Sequence, residues 1–214
     1  MKLGDAIAEI MKREGIEILC GYPVNHLIEY AAKADIRPVM CRQERIGVHM
    51  ADAISRVTSG KTIGAFCMQH GPGSENAMGG VAQCYGESVP VLILPMGYAR
   101  RIAHIDPNFN STSAMKPYVK SSEPINIASE LCNIFRRAFT KLRNGRGGPV
   151  VVEIPADMWN EEIAEPLDYT PVISTRYGPD PVHVKEAAAA LLAAKRPVLY
   201  VGQGVHYAQA WPQV

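Results

Sequence analysis

Apolar residues near the start of the chain recur at helical spacing. Leu3, Ile7 and Ile10 mark one face of a predicted helix. Gly15 ends that helix, and the apolar run at residues 16–20 then predicts a strand. The same order of helix and strand repeats along the chain, with connections of a few residues. It predicts an α/β fold, with an open, mostly parallel sheet covered by helices on both faces.

Further elements follow from the same pattern. The predicted strands lie at residues 16–20, 37–41, 61–68, 89–94 and 149–155. The helices predicted after the first one lie at residues 25–34, 43–58, 74–86 and 128–142. Residues 98–121 show no sustained period and contain several turn formers, so they are expected to form a long irregular loop.

The pattern predicts one complete domain and the start of another. The first domain is expected to span residues 1–160. Residues 161–181 are rich in acids, proline and tyrosine, as in a linker. Residues 182–214 restart with a helix, a strand at 197–202 and a glycine turn. Since one helix and one strand cannot close a core, this part is expected to be the truncated start of a second α/β domain, or to need a partner chain.

Charge and hydropathy exclude several classes of function. The chain has 22 Lys and Arg against 21 Asp and Glu, and no basic run exceeds two residues, so nucleic-acid binding is not expected. Its longest apolar stretch, residues 89–97, is far shorter than the ~20 residues of a membrane span. The N-terminus carries acids among its apolar positions and is predicted to be a helix and not a signal peptide. We therefore expect a soluble cytoplasmic protein without membrane contact.

The cysteines are odd in number, widely spaced and without a CxxC element. This pattern fits reduced thiols in a cytosol better than disulfides or a zinc site, so no metal bound by side chains of this chain is expected. The five are Cys20, Cys41, Cys67, Cys84 and Cys132.

Glu44 is placed where ligands gather in open parallel sheets. It follows the second predicted strand and lies in the first turn of the next helix, beyond the carboxyl end of the strand. A glutamate at a helix start also fits a purely electrostatic role at the N-terminal dipole. The apolar stripe of this helix is expected to face the sheet, and its members are Ile46, Met50, Ala53, Ile54 and Val57.

A glycine-rich turn follows the third predicted strand. Gly71 and Gly73 flank Pro72, so the backbone can approach a ligand without a Cβ in the way. Ser74 or Asn76 is expected to cap the following helix. Taken alone, such a turn fits an ordinary structural role better than a ligand-binding one.

Together, the two motifs resemble the pyrimidine-binding domain of thiamine diphosphate dependent enzymes. This is the group of acetolactate synthase, benzoylformate decarboxylase and pyruvate oxidase. The residues that carry the resemblance are "RQE" before "GVHMADAISRVTSG", followed by "GPGSENAMGGVAQCYGESVPVLIL". The resemblance covers residues 1–160 and continues into the start of the central domain at "RPVLYVGQGV". It implies that Glu44 is catalytic, through a hydrogen bond to a ring nitrogen of the aminopyrimidine. The cofactor-binding residues that it implies are Gly21, Pro23, Glu44, Gly71, Pro72, Gly73 and Asn76.

The resemblance also implies a lyase or transferase that decarboxylates or joins 2-oxo acids. Candidate substrate contacts are Asn25, His26, Gln69, His70 and Phe109. Both histidines fit structural roles equally well. Phe109 begins a Phe-Asn-Ser stretch where acetolactate synthases usually carry Phe-Gln-Glu, which weakens an assignment to acetolactate formation in particular.

The resemblance further implies a partner. In this family a separate domain with a Gly-Asp-Gly motif binds the diphosphate and Mg²⁺, usually from a second subunit of a homodimer or tetramer. No Gly-Asp-Gly occurs here, so this piece alone is expected to be inactive. Two alternatives remain open from the sequence. One is a non-catalytic interaction or regulatory module with the same fold, and the other is a nucleotide-dependent oxidoreductase, suggested only by the weak GQGVHY motif at residues 202–207.

Overall fold

The computed structural model describes all 214 residues, which form two units, Met1–Ser174 and Thr175–Val214. The first unit contains a six-stranded sheet in which every pair of neighbouring strands is parallel. In chain order the strands are β1 (Ile18–Gly21), β2 (Arg37–Met40), β3 (Gly64–Met68), β4 (Val91–Gly97), β5 (Ser121–Pro124) and β6 (Val150–Pro155). Their order across the sheet is β2-β1-β3-β4-β6-β5, and the expected α/β class is confirmed.

Helices cover both faces of this sheet. They are α1 (Leu3–Arg13), α2 (Leu27–Lys33), α3 (Glu44–Val57), α4 (Pro72–Gly86), α5 (Ser111–Met115) and α6 (Leu131–Arg143), with short 3₁₀ turns at Lys116–Tyr118 and Ala128–Glu130. One apolar cluster joins α1, α2 and α6 to one face of the sheet. A second cluster joins α3, α4 and α5 to the other face.

The central strands β3, β4 and β6 are buried along their whole length. Their continuous apolar runs follow from this burial on both faces, as in other parallel sheets. The edge strand β5 has the sequence SSEP and is only half-buried, so its sequence lacks the apolar run that predicts a buried strand. The expected irregular loop at 98–121 is therefore only partly correct, because it contains α5 and a 3₁₀ turn and ends at the start of β5.

The buried face of α3 is not the predicted one. Ile46 is 48% exposed and Val57 78% exposed, so the expected stripe faces largely outward. The buried residues of the helix are Glu44, Gly47, Val48, Ala51, Asp52 and Ser55. Small residues let the helix lie very close to β3, where a Cβ on Gly64 would be 1.9 Å from the carbonyl oxygen of Ala51. Close backbone packing, and not large apolar side chains, sets the orientation of α3.

The first unit extends past the predicted boundary at residue 160, as far as Ser174. The carboxylate of Glu14, at the end of α1, attaches the last part of this segment. It accepts hydrogen bonds from the Tyr169 hydroxyl at 2.6 Å and from the Val172 N–H at 2.9 Å. It also accepts one from Nε of Arg143, on α6, at 3.0 Å.

The second unit contains α7 (Pro181–Ala193), α8 (Gly204–Tyr207) and a 3₁₀ turn at Trp211–Gln213. Asp180 caps α7 by accepting a hydrogen bond from the Val182 N–H at 2.8 Å. The strand predicted at residues 197–202 is absent, because no other strand pairs with this segment. The GQGVHY stretch therefore does not follow a strand, as a dinucleotide-binding turn would. No helix of the chain is both long enough and apolar enough to cross a bilayer.

Candidate functional site

The candidate site lies at the carboxyl ends of β1, β2 and β3. Glu44 is the first residue of α3, and it is only 6% exposed. Its Oε2 accepts a hydrogen bond from Nδ2 of Asn76, on α4, at 2.5 Å. Its Oε1 has no hydrogen-bond partner within the chain. The buried carboxyl is therefore oriented by one amide and keeps one oxygen available for a donor.

The glycine-rich turn lies directly beside this carboxyl. A Cβ on Gly73 would be 3.2 Å from Oε1 of Glu44 and 2.7 Å from Cγ of Gln69. Gly71 has φ +57°, and a Cβ there would be 2.7 Å from the Tyr98 hydroxyl. A side chain at either position would clash, so the two glycines let Gln69, Glu44 and Tyr98 lie directly against the backbone of the turn.

Neither residue that was expected to cap α4 does so. The helix begins at Pro72, with Gly71 at the N-cap position. The Ser74 hydroxyl donates instead to the carbonyl oxygen of Gln69 at 3.2 Å. Asn76 lies too far into the helix to cap it, and its amide binds Glu44.

The turn after β1 carries four of the predicted site residues. Gly21 ends the strand, where a Cβ would be 3.0 Å from Sγ of Cys67, so a larger residue there would have to displace its neighbours slightly. Pro23 is exposed, and Val24 after it is 63% exposed with φ +73°. A β-branched residue with this φ is strained. His26 is exposed and lies edge-on to Trp159, with ring centroids 5.7 Å apart.

Asn25 is buried and fully occupied by protein contacts. Its Nδ2 donates to the carbonyl oxygens of Met68 at 2.8 Å and Leu94 at 3.2 Å. Its Oδ1 accepts from the Leu27 N–H at 3.0 Å. The amide thus attaches the β1 turn to the end of β3 and to the middle of β4, and it leaves no donor over for a substrate.

Two other predicted substrate residues lie on separate parts of the site. The His70 ring is 4.4 Å from the Tyr98 ring, centroid to centroid, and its Nδ1 is buried without a hydrogen-bond partner. Phe109 is half-buried just before α5. The next residue, Asn110, caps that helix by accepting from the Ser113 N–H at 2.8 Å.

Sequence reasoning missed two residues near the turn, Tyr98 and Glu153. Tyr98 follows β4 and contacts both His70 and Gly71, which only the strand order reveals. Glu153 lies within β6 and is 7% exposed. Its signal was a lone acid inside the apolar run at 149–155. Burial raises the pKa of its carboxyl above the usual range, opposed by hydrogen bonds from Ser111.

The cysteines do not form a reactive or metal-binding centre. All five are unpaired. Burial raises the pKa of Cys20 to about 11 and also raises the pKa values of Cys67 and Cys84. Protonated thiols are poor nucleophiles and poor metal ligands. No group of three or more His, Cys, Asp or Glu side chains is arranged to hold a metal ion.

Comparison with known proteins finds a family match and relatives of greater length. Residues 1–119 match the family model described as "Thiamine pyrophosphate enzyme, N-terminal TPP binding domain". The acetolactate synthase large subunit of Haemophilus influenzae is 32% identical over 221 residues, which cover 98% of this chain and 38% of that protein. The acetolactate synthase isozyme 3 large subunit of Escherichia coli is 32% identical over 202 residues, covering 89% of this chain and 35% of the relative.

Solved structures show the same similarity. Benzoylformate decarboxylase from Polynucleobacter necessarius superposes with a TM-score of 0.86 at 27% identity, covering 99% of this chain and 40% of that one. A putative thiamin diphosphate-dependent enzyme from Mycobacterium smegmatis gives a TM-score of 0.85 at 26% identity, with coverages of 99% and 41%. The chain thus spans less than half the length of these relatives.

Proposed function

Because the chain belongs to the thiamine pyrophosphate enzyme family through its N-terminal TPP binding domain, we propose that it forms the pyrimidine-binding half of an enzyme that decarboxylates or joins 2-oxo acids. The relatives named as acetolactate synthases and a benzoylformate decarboxylase support this reaction class. The observation that carries the proposal is the buried carboxyl of Glu44, with Oε1 unpartnered beside Gly73.

The residues present fit thiamine diphosphate. Because Gly73 has no side chain, Oε1 of Glu44 can lie directly against the backbone of the turn. Oε1 of Glu44 can pair with a ring nitrogen, while the Asn76 amide fixes the other oxygen. When bound, the cofactor supplies a carbon nucleophile and an electron sink for chemistry on the 2-oxo acid.

Glu44 contributes by sharing a proton with the ring nitrogen at Oε1. The carboxyl is 6% exposed, so little water competes for this hydrogen bond. The Asn76 amide orients the carboxyl by binding Oε2, and Gly73 leaves room for Oε1 beside the backbone of the turn. Gln69 and His70, at the end of β3, are the side chains of this chain that we propose to meet the substrate.

The diphosphate and Mg²⁺ are proposed to bind to a domain of a second subunit in a homo-oligomer. The chain itself has no Gly-Asp-Gly and no metal-binding cluster. The outward apolar face of α3, with Ile46 and Val57, supports a subunit contact beside the site. We further propose that residues 182–214 begin the central domain, that this piece alone is inactive, and that the five unpaired cysteines reflect a reducing, cytoplasmic location.

The test is exchange of the cofactor C2 proton in the full-length protein. Glu44→Gln removes the proton-sharing oxygen with little change of shape, and we expect exchange to slow by about 10²–10⁴-fold, the usual contribution of a positioned acid or base. Glu75→Gln is the matched control, because Glu75 is an exposed acid in the first turn of α4. An unchanged exchange rate in Glu44→Gln, with cofactor bound, would remove Glu44 from the mechanism.

A further inference from the structure

Tyr98 is a half-buried side chain just after β4 that has no role in the proposed function. Its ring lies against the ring of His70, with the centroids 4.4 Å apart and the two planes inclined at 58°. Its hydroxyl lies over the glycine-rich turn, where a Cβ on Gly71 would be 2.7 Å from the oxygen. Tyr98 therefore contacts both the histidine at the end of β3 and the turn that follows it.

The backbone is anchored on both sides of Tyr98. The carbonyl oxygen of Gly97 accepts a hydrogen bond from the Ala156 N–H at 3.1 Å. Two residues after Tyr98, Arg100 binds both carboxylate oxygens of Asp157, through its backbone N–H at 3.0 Å and through Nε at 2.9 Å. Because the residues before and after it are held in this way, the Tyr98 ring presents a fixed surface to its neighbour.

The two ring nitrogens of His70 lie in different surroundings. Nδ1 is buried and has no hydrogen-bond partner. Nε2 also has no partner within the chain, but it is not among the buried atoms. A neutral imidazole carries one proton, on either nitrogen. Since a buried N–H without an acceptor is rarer in proteins than a buried acceptor without a donor, the surroundings favour the tautomer with the proton on Nε2.

We propose that His70 meets the 2-oxo acid as a hydrogen-bond donor through Nε2, and that Tyr98 is the positioning residue that holds the imidazole in this orientation. The Nε2–H can donate to a carboxylate or carbonyl oxygen, and a 2-oxo acid carries both. The nitrogen without a proton, Nδ1, is buried, so the ring cannot take a proton from a ligand. The inference rests on the proposed function for the class of ligand that His70 meets, and on the structure for the orientation of the ring.

Steady-state kinetics of the full-length protein test the donor role. The probe is whichever of pyruvate, 2-oxobutyrate and benzoylformate the wild type turns over fastest. We expect His70→Ala to lower kcat/KM by about 10–100-fold, the loss of one hydrogen bond to a charged group. His70→Gln should keep most of the wild-type value, because its amide nitrogen can donate in place of Nε2 but cannot accept a proton. Equal losses in the two variants, or no loss in His70→Ala, would overturn the donor role.

Variants of Tyr98 test the positioning by the same assay. Tyr98→Phe keeps the ring and should behave as wild type, whereas Tyr98→Ala should lower kcat/KM about as much as His70→Ala. If Tyr98 acts through His70, the double variant should lose no more than His70→Ala alone. Tyr85→Ala is the control, because Tyr85 is 45% exposed near the far end of α4 from the turn. A loss in Tyr98→Phe, or additive losses in the double variant, would show that Tyr98 does not act by positioning His70.

The tautomer is tested without any substrate by ¹H–¹⁵N NMR of full-length protein labelled at histidine. The spectra are recorded at pH 8, where histidine side chains are ordinarily neutral, and His70→Gln identifies the signal. Wild type and Tyr98→Phe should show a protonated Nε2 and an unprotonated Nδ1, and a proton on Nδ1 would overturn the proposal. No turnover of any of the three 2-oxo acids, with the spectra as expected, would instead count against the proposed function alone.

Discussion

Replacing Glu14 by Gln should destabilise the first unit more than any ordinary surface substitution. The Glu14 side chain is fully buried and receives three hydrogen bonds. One comes from Nε of the Arg143 guanidinium, 3.0 Å from Oε2; Nη2 of the same group lies 2.9 Å from that oxygen and donates to the Glu14 backbone carbonyl. The others come from the Tyr169 hydroxyl and the Val172 N–H. In the variant, an amide NH₂ group must face one of these donors.

The size of the effect follows from burial. Removing one partner of a buried ion pair typically costs about 3–5 kcal/mol, because the remaining charge loses its compensation. The Arg143 side chain keeps 16% exposure, so some hydration remains. We therefore expect a loss of about 3 kcal/mol in the free energy of unfolding, at the lower end of that range. For a chain of this size this lowers Tm by about 6–12 °C.

The assay is urea and thermal unfolding followed by circular dichroism, with Glu9→Gln as the matched control. Glu9 lies on the same helix and pairs with Arg13 at 2.7 Å, but the two side chains are 36% and 35% exposed. Such a surface pair contributes about 0.3–0.5 kcal/mol. A Tm for Glu14→Gln no lower than that for Glu9→Gln would refute the argument. It would show that water or a rearranged segment satisfies Arg143 and Tyr169 without the carboxylate.

Three further outcomes are expected. Val24→Gly should raise the free energy of unfolding in urea by about 0.5–1 kcal/mol, because the left-handed φ of +73° costs a valine about 1–2 kcal/mol and a glycine little. A loss of stability would show that the packing of the Val24 side chain outweighs this backbone strain. Since burial raises the folded-state pKa of Glu153, its contribution to stability is full below the unfolded pKa near 4.5 and falls as pH rises through the folded value. Glu153→Gln should therefore gain stability relative to wild type as pH rises from 4 to 8, and parallel pH profiles would contradict this. Val57→Lys should leave the fold intact, because Val57 is 78% exposed, but it should weaken subunit assembly of the full-length protein in sedimentation experiments, because it lies on the proposed contact face. Unchanged assembly would show that α3 takes no part in that contact.

Central strands were predictable from the sequence because burial on both faces demands continuous apolar runs. The edge strand β5 was not, since SSEP carries no such run and depends on pairing with β6. The orientation of α3 was wrong for a related reason. The helix contacts the sheet mainly through small residues such as Gly47, Ala51 and Ser55. Ile46 and Val57 stay exposed, and Met50 and Ile54 are only partly buried, so hydropathy alone misassigned the buried face.

The sequence indicated which residues belong to the candidate site, but it did not indicate which of them contact one another. Glu44 and the glycine turn were singled out by their places after two strands, and the structure brings them together. Asn76 was predicted both to bind the cofactor and to cap α4; its amide binds Glu44, and it does not cap the helix. The hydrogen bond between Ser111 and Ser74 joins α5 to α4 across a long separation in sequence, so only the three-dimensional structure could reveal it.

The Asn25 amide limits how the candidate site beside β1 can change. One side chain attaches the loop after β1 to the end of β3 and to the middle of β4, so the position of this loop follows that of the sheet. Variation in ligand size would have to come from the short stretch Tyr22 to Val24, whose side chains can be exchanged while the loop stays tethered. Ligand selectivity on this side would then depend on which side chains the fixed loop carries, and not on movement of the loop.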